Sequence, residues 1–292
     1  MMSNKYFAES ELIINSDGSI FHLHLKPEQL ADKVILVGDP GRVKMIASHF
    51  EDIEDEVQSR EFHSVTGTYQ GKRITAQSTG IGCDNIDIVL NELDALANID
   101  FSTRKEKEAF RQLTLVRIGT CGGLQPYTPV GTFIASEKSI GFDGLLNFYA
   151  GRNDVCDLDF EKKFKEHMRW NPLLCSPYVI DEDKELTARI AGDNMVKGVT
   201  ISCGGFFGPQ GRELRVPLAD PDQNKKIESF EYEGYRITNF EMESSAIAGL
   251  SRLMGHKATT CCLVIANRVA RGANPNYKGG MEDLVQTVLD RI

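Results

Sequence analysis

The sequence lacks an excess of positive charge. Its 292 residues include 33 Lys and Arg against 42 Asp and Glu, which gives a formal charge of −9. Proteins that wrap nucleic acid or lie on an anionic membrane carry a basic face, so we expect neither partner. No run approaches the ~20 apolar residues of a membrane span, and the N-terminus has no charged start followed by an apolar core of signal-peptide length. We therefore expect a cytoplasmic protein.

Paired cysteines and linkers are also missing. The seven cysteines include no C-x-x-C motif, which excludes the usual spacing of a zinc site or a redox dithiol. In a chain of this length they indicate reduced, partly buried thiols rather than a disulfide framework. No stretch rich in Pro, Gly or Ser divides the chain, and it has no internal repeat. We predict one domain spanning residues 1–292.

The chain does have apolar runs that alternate with helical periodicity. Ile86, Val89 and Leu93, for example, lie at the i, i+3, i+7 spacing of an amphipathic helix. The predicted strands are 34–38, 74–82, 113–119, 131–136, 198–205 and 258–268, and the predicted helices are 43–50, 86–96, 241–255 and 281–289. This alternation favours a single α/β domain with a central mixed β-sheet flanked by helices. The charged stretch 103–111 is interpreted as a solvated helical face or an insertion.

Several predicted strands end in glycine together with a charged or hydroxyl residue. Ligands of α/β sheets bind where strands end and loops begin. The segment Gly38–Arg42 lies between a strand and a helix, where free N–H groups and a guanidinium suit an anion, although a plain turn is the alternative. Arg117 falls within a run that should be buried, so it needs an anionic partner, either an internal carboxylate or a ligand.

Two later segments carry polar side chains that suit other ligand groups. Gln210 and Arg212 can share one face of an extended chain and read the edge of a planar, amide-like heterocycle, or they belong to a polar loop. The segment Glu241–Glu243 is predicted to open a helix. Its carboxylates can accept hydrogen bonds from paired hydroxyls such as a ribose diol, or simply suit the positive end of the helix.

Together these segments resemble the nucleoside phosphorylase superfamily, and within it the uridine phosphorylases most. The resemblance covers nearly the whole chain, in motifs that follow the family's order: FHL, GDPGR, SREF, STGIG, RIGTCGGLQP, GFFGPQGR, NFEMESSAI and IANR. Each motif is short, but the combination is specific. The resemblance implies the family's α/β fold and its reaction, the phosphorolysis of nucleosides.

The resemblance implies a phosphate pocket. In the family, this pocket is formed by the Gly and Arg of GDPxR, the Arg and Thr of RxGT, and an Arg from the neighbouring subunit. The matching residues are Gly38, Arg42, Arg117, Thr120 and, from the neighbour, Arg60.

The resemblance also implies a nucleoside site. The matching residues are Phe206, Gln210, Arg212 and Arg268 at the base, Met242 and Glu243 at the ribose, and Phe21 and His22, which reach into a neighbour's site. In the implied reaction Arg212 stabilises the charge on the departing base, Gln210 holds its edge, and Glu243 fixes the ribose hydroxyls. Phosphate held by Arg117 and the other arginines attacks C1′.

The expected substrates are uridine and inorganic phosphate, or uracil and ribose 1-phosphate in reverse. Purine-specific relatives place an Asp after the penultimate strand, whereas this chain reads Ile265-Ala266-Asn267-Arg268 there, without an acid. Deoxyuridine and thymidine stay open as substrates. The alternatives are a purine or broad-specificity phosphorylase, a nucleosidase that uses water, and a non-catalytic nucleoside-binding protein of the same fold.

No metal or organic cofactor is expected to take part in the chemistry. Some bacterial relatives bind potassium between subunits, near positions that match Glu61, Ile81 and Asn85, where a Ser is usual in place of Asn85. The implied site needs at least a homodimer, and bacterial relatives are usually hexamers of three dimers. The segment 269–280, which is rich in Gly, Asn and Pro, is predicted to be a mobile lid.

Overall fold

The computed structural model describes residues 5–269 and 272–292. The strands are β1 (Lys33–Val37), β2 (Asp52–Ser59), β3 (Phe62–Tyr69), β4 (Lys72–Ser78), β5 (Ile99–Asp100), β6 (Lys105–Glu106), β7 (Thr114–Gly123), β8 (Phe133–Gly141), β9 (Tyr178–Asp181), β10 (Val196–Ser202), β11 (Glu231–Tyr232), β12 (Tyr235–Glu241), β13 (Lys257–Asn267) and β14 (Gly272–Ala273). The α-helices are α1 (Pro40–Ala47), α2 (Cys83–Asn98), α3 (Arg152–Val155), α4 (Leu158–Met168), α5 (Lys184–Ala191), α6 (Gln223–Ser229), α7 (Ser244–Met254) and α8 (Lys278–Arg291). This confirms the predicted fold class.

One mixed sheet of 12 strands runs through the domain, in the order β11-β12-β10-β8-β13-β7-β1-β4-β3-β2, with β9 beside β8 and β14 beside β13. Strand β1 pairs in parallel with β4 and β7, and β7 pairs in parallel with β13. Strand β12 also pairs with β7, in antiparallel fashion, where Asn239 and Phe240 lie opposite Gly123 and Gly122. This extra pairing closes β7, β13, β8, β10 and β12 into a ring and brings the ends of β7 and β12 together.

Helices cover the sheet on both sides. Helices α2 and α7 bury Leu93 and Ile247 in one apolar cluster, and α5 and α8 bury Ile190 and Leu284 in another. The spacing that predicted α2 is therefore the spacing of its buried face. Among the described residues, no helix has both the length and the apolar character needed to cross a bilayer.

Two predicted helix boundaries are wrong because capping groups set them. The helix predicted at 43–50 begins at Pro40, since the Asp39 carboxylate accepts the N–H of Gly41 and proline suits a first helical turn. The helix predicted from residue 241 begins at Ser244. Glu241 ends β12, and its carboxylate accepts the N–H groups of Glu243 and Ser244.

The segment 103–111 is not a helix. It forms turns and the short strand β6, which pairs with β5. The Lys107 ammonium donates to the carbonyls of Leu96 and Ala97 in the last turn of α2, a position where a cation is favourable. Of the two interpretations, the helical face is wrong; the segment is a largely exposed loop that Lys107 anchors to α2.

Candidate active site

A cavity of about 700 Å³ lies at the ends of β1, β7 and β12, beside β13. This volume is typical of small-molecule sites, which span ~300–1,000 Å³. The predicted site residues that line it are Gly38, Arg42, Arg117, Thr120, Phe206, Gln210, Arg212, Met242 and Glu243. Segments that are far apart in the sequence thus meet at one place, whereas Phe21, His22, Arg60 and Arg268 lie outside the cavity wall.

Arg117 occupies the buried centre of the site. Its Nη1 lies 3.1 Å from Glu241 Oε2, and its Nη2 contacts Glu243 Oε2. The guanidinium folds back over residue 119, where a Cβ would stand 2.2 Å from Nη1, so a larger residue there would displace the guanidinium from its carboxylate partners. The expected anionic partner of Arg117 is therefore found within the chain: the Glu241 and Glu243 carboxylates both pair with the buried guanidinium. The Nε atom of Arg117 has no hydrogen-bond partner among the described residues.

Glu243 is held in place from two sides. Its Oε1 accepts the N–H of Gly82, at 2.8 Å, at the start of α2, while Oε2 faces Arg117. Burial raises the pKa of Glu243, and the Arg117 charge opposes that rise. The result is a fixed, buried carboxyl group on the cavity wall, suited to paired hydroxyl donors.

The end of the cavity near β1 is suited to an anion. Arg42, in the first turn of α1, has no ion pair within residues 5–269 and 272–292, so its charge is available to a ligand. A Cβ on Gly38 would stand 3.3 Å from the Gly80 carbonyl, which shows that the backbones after β1 and β4 approach closely. Thr120 lines the same cavity from β7.

Arg212 and Gln210 form the opposite end. The Arg212 guanidinium stacks 3.8 Å from the centre of the Phe206 ring, and its Nη1 donates to the Phe206 carbonyl at 2.6 Å and contacts Gln210 Oε1. Burial, together with the nearby charge of Arg268, lowers the pKa of Arg212 to about 10. The side chain is therefore still charged at neutral pH, and in the described part of the chain no carboxylate pairs with it.

Arg268 holds the turn that carries Gln210 and Arg212. Its Nη2 donates to the Gly211 carbonyl at 2.8 Å, and its backbone N–H donates to the Gly123 carbonyl at 2.9 Å. It therefore contacts the backbone of the turn that carries Gln210 and Arg212 and does not line the cavity.

Phe21, His22 and Arg60 form a separate cluster. The Arg60 guanidinium lies 5.7 Å above the Phe21 ring. His22 Nδ1 lies 2.6 Å from Glu92 Oε1, and the same carboxylate accepts the backbone N–H of His22. Glu92 fixes His22, and none of the three residues lines the cavity of its own chain.

Sequence reasoning missed three contributors to this arrangement. Glu241 is a direct partner of Arg117, Gly82 donates to Glu243, and Glu92 holds His22. Glu241 belongs to the same short motif as Glu243, so the motif could have indicated that Glu241 also contributes to the site. Glu92 lies within α2 and carries no such signal.

Two further expectations concern metals and the lid. Over residues 5–269 and 272–292, no group of three or more His, Cys, Asp or Glu side chains is arranged to hold a metal ion.

Of the predicted lid 269–280, residues 270 and 271 lie outside the described residues. The rest includes β14, paired with the end of β13, and the first turn of α8.

The fold and the cavity define an α/β protein with a candidate small-molecule site at the strand ends, lined by Arg42 at one end and by Gln210 and Arg212 at the other. The chain belongs to the phosphorylase superfamily, whose sequence profile matches residues 32–289. The predicted resemblance to the nucleoside phosphorylases is thereby confirmed, and membership supports a pentosyltransferase activity.

Individual relatives fall into two substrate classes. The chain is 28% identical over 269 residues to a uridine phosphorylase of Thermococcus kodakarensis, covering 90% of this chain and 83% of that one. It is 26% identical over 277 residues to a DeoD-type purine nucleoside phosphorylase of Oceanobacillus iheyensis, covering 93% and 98%. A solved nucleoside phosphorylase of Trypanosoma brucei, described as showing uridine phosphorylase activity, matches with a TM-score of 0.87 and 28% identity over 96% of this chain and 98% of that one. Overall similarity therefore does not decide between pyrimidine and purine.

Proposed function

We propose that the protein is a uridine phosphorylase, which converts uridine and inorganic phosphate reversibly to uracil and ribose 1-phosphate in pyrimidine salvage. The observation that carries this proposal is the base end of the cavity. Gln210 and Arg212 line it together with Ile265 and Ala266, so the wall offers an amide and a cation but no acid from β13 that could protonate a purine.

The proposed chemistry assigns each end of the cavity a task. A phosphate oxygen held by Arg42, Arg117 and Thr120 attacks C1′, the C1′–N1 bond breaks, and its electron pair leaves with the uracil ring. Arg212 stabilises the negative charge that develops on the base. Glu243 binds the ribose hydroxyls. Catalysis then depends on positioning and preorganised charge, without a covalent enzyme intermediate.

A spectrophotometric assay tests the substrate assignment. Uridine, deoxyuridine, thymidine and inosine are each supplied with and without phosphate. We expect phosphate-dependent cleavage of uridine and little turnover of inosine, because the cavity offers no proton donor at the purine position. Cleavage without phosphate would make the protein a nucleosidase, and preference for inosine would make it a purine phosphorylase; either result contradicts the proposal.

The proposed site is shared between two copies of the chain. Arg60, Phe21 and His22 lie together and do not line the cavity of their own chain. We propose that they complete the site of a neighbour in a homodimer or a hexamer of dimers. Arg60 is exposed and has no ion pair among the described residues, so its charge is available to a second chain.

Arg60→Ala is expected to raise the KM for phosphate about tenfold or more, since a charge-assisted contact to a dianion contributes on the order of 1.5–3 kcal/mol. Initial rates at varied phosphate measure it. The matched control is Arg73→Ala, a half-buried arginine outside the cavity that pairs with Glu54 and donates to the Leu30 carbonyl. Unchanged phosphate saturation in Arg60→Ala would contradict the shared site.

Co-expression of Arg60→Ala with Arg212→Ala gives a sharper test of sharing. In a mixed dimer, the chain that carries Arg60→Ala keeps its own Arg212 and receives an intact Arg60 from its partner, so one of the two sites is native. At phosphate concentrations well below KM, where Arg60→Ala is impaired, activity should therefore exceed that of either variant alone. If Arg60 serves its own chain, the mixture regains nothing.

We propose that the chemistry uses no metal or organic cofactor. We also propose that a structural potassium ion can bind between copies of the chain. Potassium prefers oxygen ligands, which the Glu61 carboxylate, the Ile81 carbonyl and the Asn85 Oδ1 atom can supply. The Ile81 carbonyl accepts a hydrogen bond from Asn85 Nδ2 at 3.3 Å, so this contact would have to open when the ion binds. A Cβ on Gly80 would stand 2.4 Å from Asn85 Nδ2 and 3.2 Å from Glu61 Cγ, so these side chains lie close together.

A further inference from the structure

A second, larger cavity of about 830 Å³ adjoins the base end of the active-site cavity. The two are separated by a pair of aromatic rings: Phe206 lines the first cavity and Phe207 the second, and their centroids lie 5.2 Å apart at 83°. Arg212 lines both cavities. Nothing in the proposed phosphorolysis uses this second space, which we call the apolar annex.

The annex has an apolar rim that is exposed to solvent. The side chains of Leu173, Val216 and Leu214 are 91%, 79% and 74% exposed, and Trp170 also lines the space. Such large side chains grouped around a concavity, rather than scattered over the surface, are characteristic of a binding site. The volume lies in the range of small-molecule sites, ~300–1,000 Å³, so the occupant is a small molecule.

The charges around the annex have one predominant sign. Arg169, Arg212 and Arg215 line it, and no carboxylate pairs with any of these side chains within the described ranges. The carboxylate that lines the annex, Asp220, is already paired with Lys226 at 2.6 Å. Apolar surface ringed by unpaired guanidinium groups suits a ligand with an apolar body and an anionic head.

We propose that the apolar annex binds an amphipathic organic anion: an aromatic ring system or an acyl chain that carries a carboxylate, sulfonate or phosphate group. The apolar body lies against Leu173, Leu214 and Val216, and the anionic head lies toward Arg169 and Arg215. Because the annex shares Arg212 and the Phe206–Phe207 wall with the base end, its occupant competes with the nucleoside. This competition rests on the proposed base site, whereas binding itself does not.

Titration with 8-anilinonaphthalene-1-sulfonate tests the proposal on the native, full chain, because this probe has an aromatic body and an anionic group and reports binding by fluorescence. We expect saturable binding of one probe per chain. Leu173→Asp combined with Val216→Asp should raise its Kd at least tenfold. Both side chains are exposed, so the fold should tolerate the change. The control Leu158→Asp alters an exposed leucine outside the annex and should leave the Kd unchanged.

The charge requirement is tested with Arg169→Ala and Arg215→Ala. Each should raise the Kd of the sulfonate about threefold or more, and neither should affect the neutral probe N-phenyl-1-naphthylamine. Uracil should raise the apparent Kd of the sulfonate, and phosphate alone should not. Binding is read without turnover, so failure of the uridine assay would leave this test intact.

The proposal is overturned by the absence of saturable binding, by equal loss of binding in the Leu158→Asp control, or by equal affinity for the neutral probe. In a protein shown to cleave uridine, a lack of response to uracil would overturn the competition with the nucleoside. If the Leu173 and Val216 changes instead reduce the oligomer size in chromatography, the surface is a contact between copies, and the ligand site is wrong.

Discussion

Arg212→Ala is expected to lower kcat for uridine phosphorolysis about 10²–10³-fold, the range seen when one preorganised donor to a developing negative charge is removed. The KM for phosphate should change little, because Arg212 lies at the base end of the cavity, away from Arg42. Steady-state kinetics with each substrate varied in turn measure both constants. Arg212→Lys should recover part of kcat, since it restores the charge but not the planar fork.

The matched control for this prediction is Arg215→Ala. Arg215 lies three positions further along the same loop, lines the apolar annex and does not line the active-site cavity. Its removal should change kcat for uridine by no more than about twofold, because surface substitutions that touch no reacting group usually have small effects. Equal losses in the two variants would indicate disruption of the loop and would refute the assigned role of Arg212.

Arg117→Ala is expected to abolish measurable phosphorolysis and to lower the free energy of unfolding by about 3–5 kcal/mol, the cost of removing one partner from a buried ion pair. The change leaves the buried carboxyl groups of Glu241 and Glu243 facing each other without a cation. Urea denaturation followed by circular dichroism measures the loss.

The stability of the Arg117→Ala variant is also expected to depend on pH, in a defined direction. Burial already raises the pKa of Glu243 above its unfolded value, and loss of Arg117 removes the charge that opposes this rise. The folded state then binds a proton more tightly than the unfolded state, so the stability of the variant should fall as pH rises from about the unfolded Glu pKa, ~4.3, through the raised folded value. Stability that instead increases with pH would contradict this account.

Two further variants isolate the cause. Arg111→Ala removes a half-exposed arginine paired with Asp32 and should cost no more than about 1 kcal/mol. Adding Glu243→Gln to Arg117→Ala should recover part of the lost stability, because it removes one of the two like charges. If the double variant is less stable than Arg117→Ala alone, carboxylate repulsion is not the cause.

Local sequence patterns were sufficient to predict much of the fold. Apolar runs ending in glycine placed β1, β4 and β7 close to their observed positions, because each is buried in the sheet and must end where the backbone turns toward a cavity. Helix starts were less predictable. The start of α7 depends on the Glu241 carboxylate, which caps the helix from the end of a strand.

The partners of Arg117 were not predictable from spacing. Glu243 lies 126 positions further along the chain and reaches Arg117 only because β12 pairs with β7. Local sequence showed that a buried arginine needs an anion but left open whether a carboxylate or a ligand supplies it. In the fold, the Glu241 and Glu243 carboxylates pair with Arg117, and the cavity that could hold a ligand lies beside it. His22 and Glu92 illustrate the same limit, since 70 residues separate them.

The closure of β12 against β7 also bears on how the chain folds. The contacts that define the cavity join residues far apart in sequence: Gly82 and Glu243 are separated by 161 positions, and Arg117 and Cys262 by 145. Topologies dominated by such distant pairings fold slowly, because long loops must close before native contacts stabilise them. During synthesis the N-terminal strands emerge well before β12 and β13, the strands that complete the ring. The cavity wall is therefore complete only after β12 and β13 have paired with β7.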